Sequence, residues 1–127
     1  MKRKSISKLK KEVWALFSKY IRQKYADDNG YAQCYTCGDI RPWKELQCGH
    51  LMDGRTNAIL FEERAVRPQC YQCNCLKSGL KEVYIPRYID EEGRDTYDEL
   101  MKLKHTTVKY SRADLEELKA LYKSKVS

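Results

Sequence analysis

Hydrophobic residues recur with a helical period near both ends of the chain and in short runs in its middle. Over residues 6–25 they return at steps of three and four, which is typical of a helix with one buried face. That face comprises Leu9, Val13, Leu16, Phe17, Tyr20 and Ile21. The run Asp-Asp-Asn-Gly at 27–30 predicts the end of the helix, because these residue types form turns. Trp14 is predicted to be a core residue, although its ring is also suited to stacking on a base.

Further helices are predicted towards the C-terminus. Residues 91–104 carry acidic residues early and lysines late, which suits the helix dipole. Ser111 is a good N-cap for a last helix over residues 112–125, whose leucine stripe is predicted to face the core. An earlier helix is predicted over about residues 71–84, and Pro86 is expected to end it.

The middle of the chain predicts two short strands with a loop between them. Residues 43–48 and 65–68 are the strand candidates, and residues 53–57 form a loop by composition. The chain length suggests a single domain with an α+β fold. We expect three parts, namely a basic helix in 1–30, a small core in 31–84 and C-terminal helices in 85–127.

The composition indicates a globular protein of a reducing compartment. Hydrophobic residues make up 42% of the chain, but no run approaches the ~18 apolar residues that cross a membrane. The basic N-terminus lacks the apolar segment of a signal peptide, so we expect a cytoplasmic protein. Six cysteines in such a protein favour a metal site over a disulfide framework.

Two Cys-x-x-Cys pairs are the most specific pattern in the chain. Four thiolates at this spacing predict a closed tetrahedral zinc site, formed by Cys34, Cys37, Cys70 and Cys73. The pairs are 32 residues apart, which is longer than in a bare zinc ribbon, so the site is expected to hold an insert between its halves. Cys48 and Cys75 are predicted to be small apolar side chains rather than ligands.

The net charge of +7 lies almost entirely in the N-terminal segment. Residues 1–26 hold nine basic residues and one acidic residue, whereas the rest of the chain is nearly neutral. Such a concentration of positive charge favours a polyanionic partner, most simply nucleic acid. The alternative is a solvated helix face that happens to be basic. The predicted contacts on this helix are Lys8, Lys11, Lys19 and Arg22.

One histidine and one asparagine stand where hydrolytic chemistry is possible. His50 follows the first predicted strand, and Asn74 directly follows the last predicted zinc ligand. Hydrolysis of a phosphodiester needs a base to activate water and a cation to offset the growing charge. A neutral imidazole suits the first role, and an amide oxygen is a ligand for Mg²⁺. The alternatives are a zinc ligand or buried hydrogen-bonded histidine, and an asparagine that caps a helix.

The stretch LQCGHLMDGRTNAILFEERAVRPQCYQCNCLKSG resembles the phage NinG (lambda Rap) recombination-protein family, which belongs with HNH-type ββα-metal endonucleases. The resemblance covers residues 31–84 and implies a zinc-bound, treble-clef-like ββα-metal core flanked by helices. It implies a metal-dependent endonuclease that cleaves branched DNA, such as a Holliday junction or D-loop, during phage recombination in the bacterial cytoplasm. His50 would be the general base and Asn74 a ligand of Mg²⁺ or Mn²⁺. A homodimer is also suggested by the resemblance.

The sequence departs from that family pattern at Gly49, where many HNH sites have an aspartate as a second metal ligand. Asp53, Asn57, Glu62 and Glu63 are candidates for this ligand, and Asn57 is the one we favour.

Several basic residues are candidates for DNA contacts in this region. Arg55 is a predicted phosphate contact or else the partner of a nearby glutamate. Lys77 and Lys81 are predicted to share the helix face of Asn74 and to reach the DNA, or else to be ordinary surface lysines. Arg67 is a further phosphate candidate, and His105 is expected to be exposed or structural.

Two other functions remain open from the residues alone. One is a zinc-dependent DNA-binding module without catalysis, which Gly49 favours. The other is a zinc domain that binds protein and has no salt-dependent affinity for DNA.

Overall fold

The computed structural model describes residues 3–54 and 56–127 and has an α+β fold with two small sheets and flanking helices. Five α-helices are present in the described chain: α1 (Ile6–Lys24), α2 (Asn57–Leu60), α3 (Lys81–Glu92), α4 (Arg94–Lys104) and α5 (Arg112–Lys125). Four strands accompany them: β1 (Tyr31–Gln33), β2 (Ile40–Pro42), β3 (Gln47–His50) and β4 (Val66–Gln69). No described helix has the length and apolar content required to cross a membrane.

Helix α1 forms as its hydrophobic period predicts. The Ser5 hydroxyl accepts the Lys8 N–H and caps the helix start. Leu9, Val13, Phe17 and Ile21 are fully buried, which confirms the predicted face. This face packs against α5 and also covers β3 and β4. The basic helix is therefore part of the main hydrophobic core rather than a detached arm.

Each sheet is a pair of antiparallel strands. Strand β1 pairs with β2, and the turn between them carries both cysteines of the first pair, Cys34 and Cys37. In the other sheet the register joins Gln47 to Gln69 and His50 to Val66. The β3–β4 pair lies between two clusters of buried side chains. One cluster is formed with α1, and the other is formed with α3 and α4.

The last helix, α5, begins and ends at the predicted residues. The Ser111 hydroxyl accepts the Asp114 N–H, and the Asp114 carboxylate accepts the Ser111 N–H, so the two form a capping box. Within the stripe, Leu115 and Tyr122 are buried while Leu121 stays exposed.

The predicted helix over residues 71–84 is wrong. A short π-helical turn spans Gln72–Leu76, and α3 begins only at Lys81. Between them Ser78, Gly79 and Leu80 all have positive φ angles (51°, 87° and 48°), which reverses the chain. Pro86 does not end a helix either, because it lies exposed inside α3.

The predicted strands are real but displaced by a few residues. Trp43–Glu45 forms a 3₁₀ turn, so the first strand starts at Gln47 and reaches His50. The second runs through Gln69. The predicted helix over 91–104 is divided at Gly93, whose φ of 91° ends α3 and starts α4.

Candidate functional site: a cysteine cluster beside a histidine groove

The four predicted zinc ligands come together. The Sγ atoms of Cys34, Cys37, Cys70 and Cys73 all lie within 4.8 Å of one another. The Cys37 and Cys70 sulfurs are 3.8 Å apart, which equals the edge of a tetrahedron with Zn–S bonds of ~2.3 Å. The cluster can therefore hold a metal ion such as zinc. Cys48 and Cys75 do not belong to it.

Local backbone geometry builds each half of the cluster. Gly38 adopts a φ of 84°, and its N–H bonds to the Cys34 carbonyl to close the first knuckle. Burial raises the pKa of the Cys34 thiol, but hydrogen bonds from the backbone of Cys37 and Cys70 outweigh burial. Together with Thr36 they bring that pKa to about 6, which favours the thiolate that a metal requires.

A groove of about 550 Å³ opens between α1, the end of β3 and the π-helical turn. Its polar lining includes Arg22, Gln47, His50, Asp53, Asn74 and Lys81. Two of the four predicted catalytic residues, His50 and Asn74, thus line one cavity, together with the candidate residues Arg22, Asp53 and Lys81. A groove that combines a histidine, a carboxylate and cations suits a phosphate ester chemically.

His50 is the last residue of β3, and only 8% of its surface is exposed. Its Nε2 lies 3.3 Å from the Leu60 carbonyl oxygen. A carbonyl oxygen only accepts hydrogen bonds, so Nε2 carries the proton and the lone pair resides on Nδ1. The imidazole also stacks on the Trp14 indole, with ring centroids 5.2 Å apart and planes 16° apart.

Asn74 lies in the π-helical turn that follows the second cysteine pair. Its Nδ2 donates to Gln47 Oε1 at 2.7 Å, and this bond joins the turn to the start of β3. The Cys75 thiol donates to the same oxygen at 3.2 Å, so Cys75 is an exposed hydrogen-bond donor rather than an apolar core residue. Because Nδ2 is engaged in this way, the Asn74 amide oxygen is the atom left for a cation.

Lys81 connects α3 to the end of β3. Its Nζ donates to the His50 carbonyl, and it lies 3.8 Å from an Asp53 carboxylate oxygen. Burial lowers the pKa of Lys81, Asp53 opposes that shift, and Lys104 adds to it. Tyr84 donates to the Gly49 carbonyl at 2.8 Å. The prediction that Lys81 shares a helix face with Asn74 is wrong, since they belong to different elements, but both line the groove.

Gly49 has no room for a side chain. A Cβ atom there would lie 1.9 Å from Gln69 Oε1. The Gln69 side chain is fully buried, and its Nε2 donates to the Gly79 carbonyl and to the Thr36 hydroxyl. The Gln69 amide oxygen is buried without a hydrogen-bond partner. An aspartate before His50 is therefore incompatible with the observed position of the Gln69 side chain.

Only one of the cations predicted on α1 lines the groove. Arg22 does so, with its guanidinium stacked over Trp43 and donating to the Ser18 and Leu46 carbonyls. Burial lowers the pKa of Arg22. The remaining cations lie outside the groove: Lys8, Lys11 and Lys19 on α1, and Lys77 after the π-helical turn.

Several other predicted site residues lie apart from the groove. Asn57 donates through Nδ2 to the Val108 carbonyl and is not among the groove residues. Arg55 lies outside the described residues. Glu62 binds Arg64, and Glu63 accepts from Tyr122.

Arg67 is also unavailable to phosphate, because its side chain is only 7% exposed. It lies over the rings of Tyr25, Tyr35 and Tyr88 and pairs with Glu92. The candidate contact at this position is therefore a structural ion pair.

The sequence gives no indication of one groove residue and only part of the role of another. Gln47 carries no signal, because a lone glutamine at a strand start is typical of a surface. Trp14 packs against the core as predicted, but it lies at the edge of the buried face and also lines the groove. The helical step from Trp14 to Ser18 and Arg22 is the signal that could have identified this edge.

Comparisons with known proteins agree with the resemblance. Over 120 residues the chain is 27% identical to protein ninG of Escherichia phage 933W and equally so to protein ninG of Enterobacteria phage VT2-Sa. These alignments cover 91% of this chain and 55% of each relative, so the chain spans about half the length of the curated relatives it matches. No solved structure matches it. The family model described as "Bacteriophage Lambda NinG protein" matches residues 1–127, and the chain therefore belongs to the NinG family.

Proposed function

We propose that the groove is the active site of a metal-dependent endonuclease that hydrolyses DNA, with His50 as the general base. The observation that carries this proposal is the hydrogen bond from His50 Nε2 to the Leu60 carbonyl, which assigns the ring lone pair to Nδ1. A histidine fixed as an acceptor inside a polar groove is suited to taking a proton from water. Hydrolysis then forms one P–O bond from the water oxygen and breaks the P–O bond to a sugar oxygen.

The order of elements supports assignment to the HNH-type ββα-metal class. Two antiparallel strands, β3 and β4, are followed by a helical turn that bears Asn74, and His50 lies at the end of the first strand. In this proposal zinc at the four cysteines fixes the turn against the sheet. The zinc is structural, because four thiolates leave no open position for substrate.

The donor set of the groove fits a hard cation such as Mg²⁺ or Mn²⁺ that is shared with substrate phosphate. Asp53 supplies a carboxylate and Asn74 an amide oxygen, and Mg²⁺ commonly takes one or two protein ligands and fills its other positions with water and phosphate. When bound, the cation would offset negative charge on the phosphate. Asn57 has no part in this proposal, because its side chain is bonded to Val108 outside the groove.

The positive charge of α1 supports DNA as the substrate. Lys8, Lys11 and Lys19 form no ion pair within residues 3–54 and 56–127, so their charges remain available for phosphate. Arg22 lines the groove itself and adds a guanidinium that is suited to binding phosphate. Branched DNA is the proposed substrate because of the family resemblance, and a dimer would allow two strands to be cut together.

The proposal is tested with His50→Ala, using His105→Ala as the matched control. Cleavage of a four-way junction and of linear duplex is measured with Mg²⁺ and with Mn²⁺, beside DNA affinity and zinc content. We expect His50→Ala to lose at least about 100-fold in cleavage rate while binding and zinc remain. His105 is exposed and lies outside the groove, so its variant should cleave normally. Full cleavage by His50→Ala would refute the assignment of the base.

One observation favours a non-catalytic DNA-binding module instead. Gly49 cannot carry the acidic ligand expected before His50, and Asp53, the only carboxylate among the described residues of the groove, already pairs with Lys81. Salt-dependent DNA binding without cleavage, across several divalent cations and DNA shapes, would support this alternative.

A further inference from the structure

The residue stacked on His50 comes from outside the strand–strand–turn unit that holds the proposed active site. Trp14 belongs to α1, and its indole lies nearly parallel to the imidazole, with a centroid separation of 5.2 Å. Trp14 is half-buried and lines the groove beside His50. The contact therefore joins the basic helix directly to the proposed base.

The stacking supplies a restraint that the hydrogen bond of His50 lacks. The 3.3 Å bond from Nε2 to the Leu60 carbonyl fixes the position of one ring atom. Torsions between an sp³ and an sp² carbon have broad minima, so a contact with the ring face adds a restraint on the plane of the imidazole. The flat indole supplies it, because stacking favours one orientation of the plane.

We propose that Trp14 is a positioning residue for His50, so that α1 completes the active site as well as binding DNA. This inference rests on the proposed function. Trp14 keeps Nε2 directed at the Leu60 carbonyl, which keeps Nδ1 in the orientation from which it accepts a proton from water. Its role in this proposal is to orient the imidazole, and the cation and the phosphate are bound by other residues.

The indole is itself held in place by the core. Its helical neighbours Val13 and Phe17 are fully buried, and its ring centroid lies 5.7 Å from that of Phe17. Helix α1 packs against α5 and covers β3. The indole is thus attached to a buried segment of the helix and packs against Phe17, which limits its movement relative to β3.

The same helix edge faces the substrate. Trp14, Ser18 and Arg22 recur every four residues and all line the groove, and Lys11 falls on the same stripe by helical spacing. A DNA strand that binds along this edge presses on the helix that orients the base. Substrate binding and base orientation are therefore mechanically linked through α1.

The test compares Trp14→Phe, which keeps a flat ring, with Trp14→Leu, which keeps apolar volume alone. Tyr20→Leu is the matched control, because Tyr20 is a half-buried aromatic residue of α1 whose ring packs at a tilt against Tyr122 instead of stacking on His50. We expect Trp14→Leu to lower kcat by about 10- to 100-fold with little change in KM. Trp14→Phe should recover most of the rate, and the Tyr20 variant should keep it.

A second measurement does not depend on cleavage. The Nε2 proton of His50 should give a slowly exchanging NMR signal, since it is buried and bonded to a carbonyl, and the exposed His105 serves as the internal reference. We expect this signal to persist in Trp14→Phe and to be lost in Trp14→Leu. If Trp14→Leu fails to fold or to retain zinc, Trp14→Met replaces it.

The outcomes separate this inference from the proposed function. A persistent Nε2 proton signal and an unchanged kcat in Trp14→Leu would overturn the positioning role. A wild-type protein that does not cleave DNA would overturn the proposed function, and loss of the proton signal in Trp14→Leu would then still show that the indole orients the ring. Equal loss of rate in Trp14→Phe and Trp14→Leu would also count against stacking as the cause.

Discussion

Gly49 offers the sharpest test of how this site is built, because its neighbour Gln69 occupies the space that any side chain would need. Replacement by alanine places a Cβ 1.9 Å from Gln69 Oε1 and 2.7 Å from its Cδ. Heavy atoms cannot approach so closely, so Gln69 must move. It cannot move without loss, since it is fully buried and donates to Gly79 and Thr36.

The expected cost follows from these contacts. Overpacking of a well-packed core costs about 1–3 kcal/mol. Loss of the two hydrogen bonds of Gln69 adds about 0.5–1.5 kcal/mol each. We therefore expect Gly49→Ala to lower the free energy of unfolding by about 3 kcal/mol, a large share of the 5–15 kcal/mol typical of a domain.

A double-mutant cycle isolates this clash from other effects. Gln69→Ala alone should cost about 2–4 kcal/mol, because it removes the two hydrogen bonds and leaves a cavity. In the double variant the new methyl group enters that cavity, so the combined cost should be close to that of Gln69→Ala. The double variant should therefore be destabilised by about 3 kcal/mol less than the sum of the two single variants.

The assay is urea unfolding followed by circular dichroism, with zinc and a reductant present and equal m-values as the check on two-state behaviour. Single-variant costs that add within about 0.5 kcal/mol would refute the clash. A Gly49→Ala protein as stable as the wild type would do so as well.

Two further results are expected. Cys70→Ser should lose the bound zinc and unfold at a lower urea concentration. Cys75→Ser should keep one zinc per chain, because Cys75 lies outside the cluster. Zinc content measured by mass spectrometry distinguishes these outcomes. Ser111→Ala should lower the free energy of unfolding by about 1 kcal/mol, because the capping box is lost. The control Ser124→Ala, in the same helix, should stay within about 0.5 kcal/mol of the wild type in the same urea assay.

The terminal helices were predictable because their signals are local. Helix α1 repeats its apolar residues over several turns, and α5 begins with a serine cap, so neither needs tertiary information. The cysteine cluster was predictable for a similar reason, since two chelating pairs specify a metal site by spacing alone.

The region after the second cysteine pair was not predictable from local signals. Left-handed φ angles at Ser78 and Leu80 break the expected helix, yet neither residue type favours that conformation. Gln69 is a second case, because a glutamine in a short strand is normally exposed, whereas here it is fully buried and donates to the Gly79 carbonyl. Both features arise from how the turn packs on β3, which a linear pattern does not record.

The lack of space for a side chain at Gly49 limits where a carboxylate of the groove can lie. The strand register places Gly49 opposite Arg67, and Gln69 crosses its Cα, so an acidic ligand at that position would have to displace the Gln69 side chain next to the strand pair that ends at His50. The carboxylate of the groove comes instead from Asp53, in the turn three residues after His50, where it is 81% exposed and 3.8 Å from the Lys81 ammonium. An ammonium beside a carboxylate weakens its hold on a cation, but an entering phosphate would attract the ammonium and leave the carboxylate for the metal. In the proposed enzyme the cation would therefore be bound together with DNA rather than before it, and Lys81 would serve both as the support of the His50 carbonyl and as the group that links the two events.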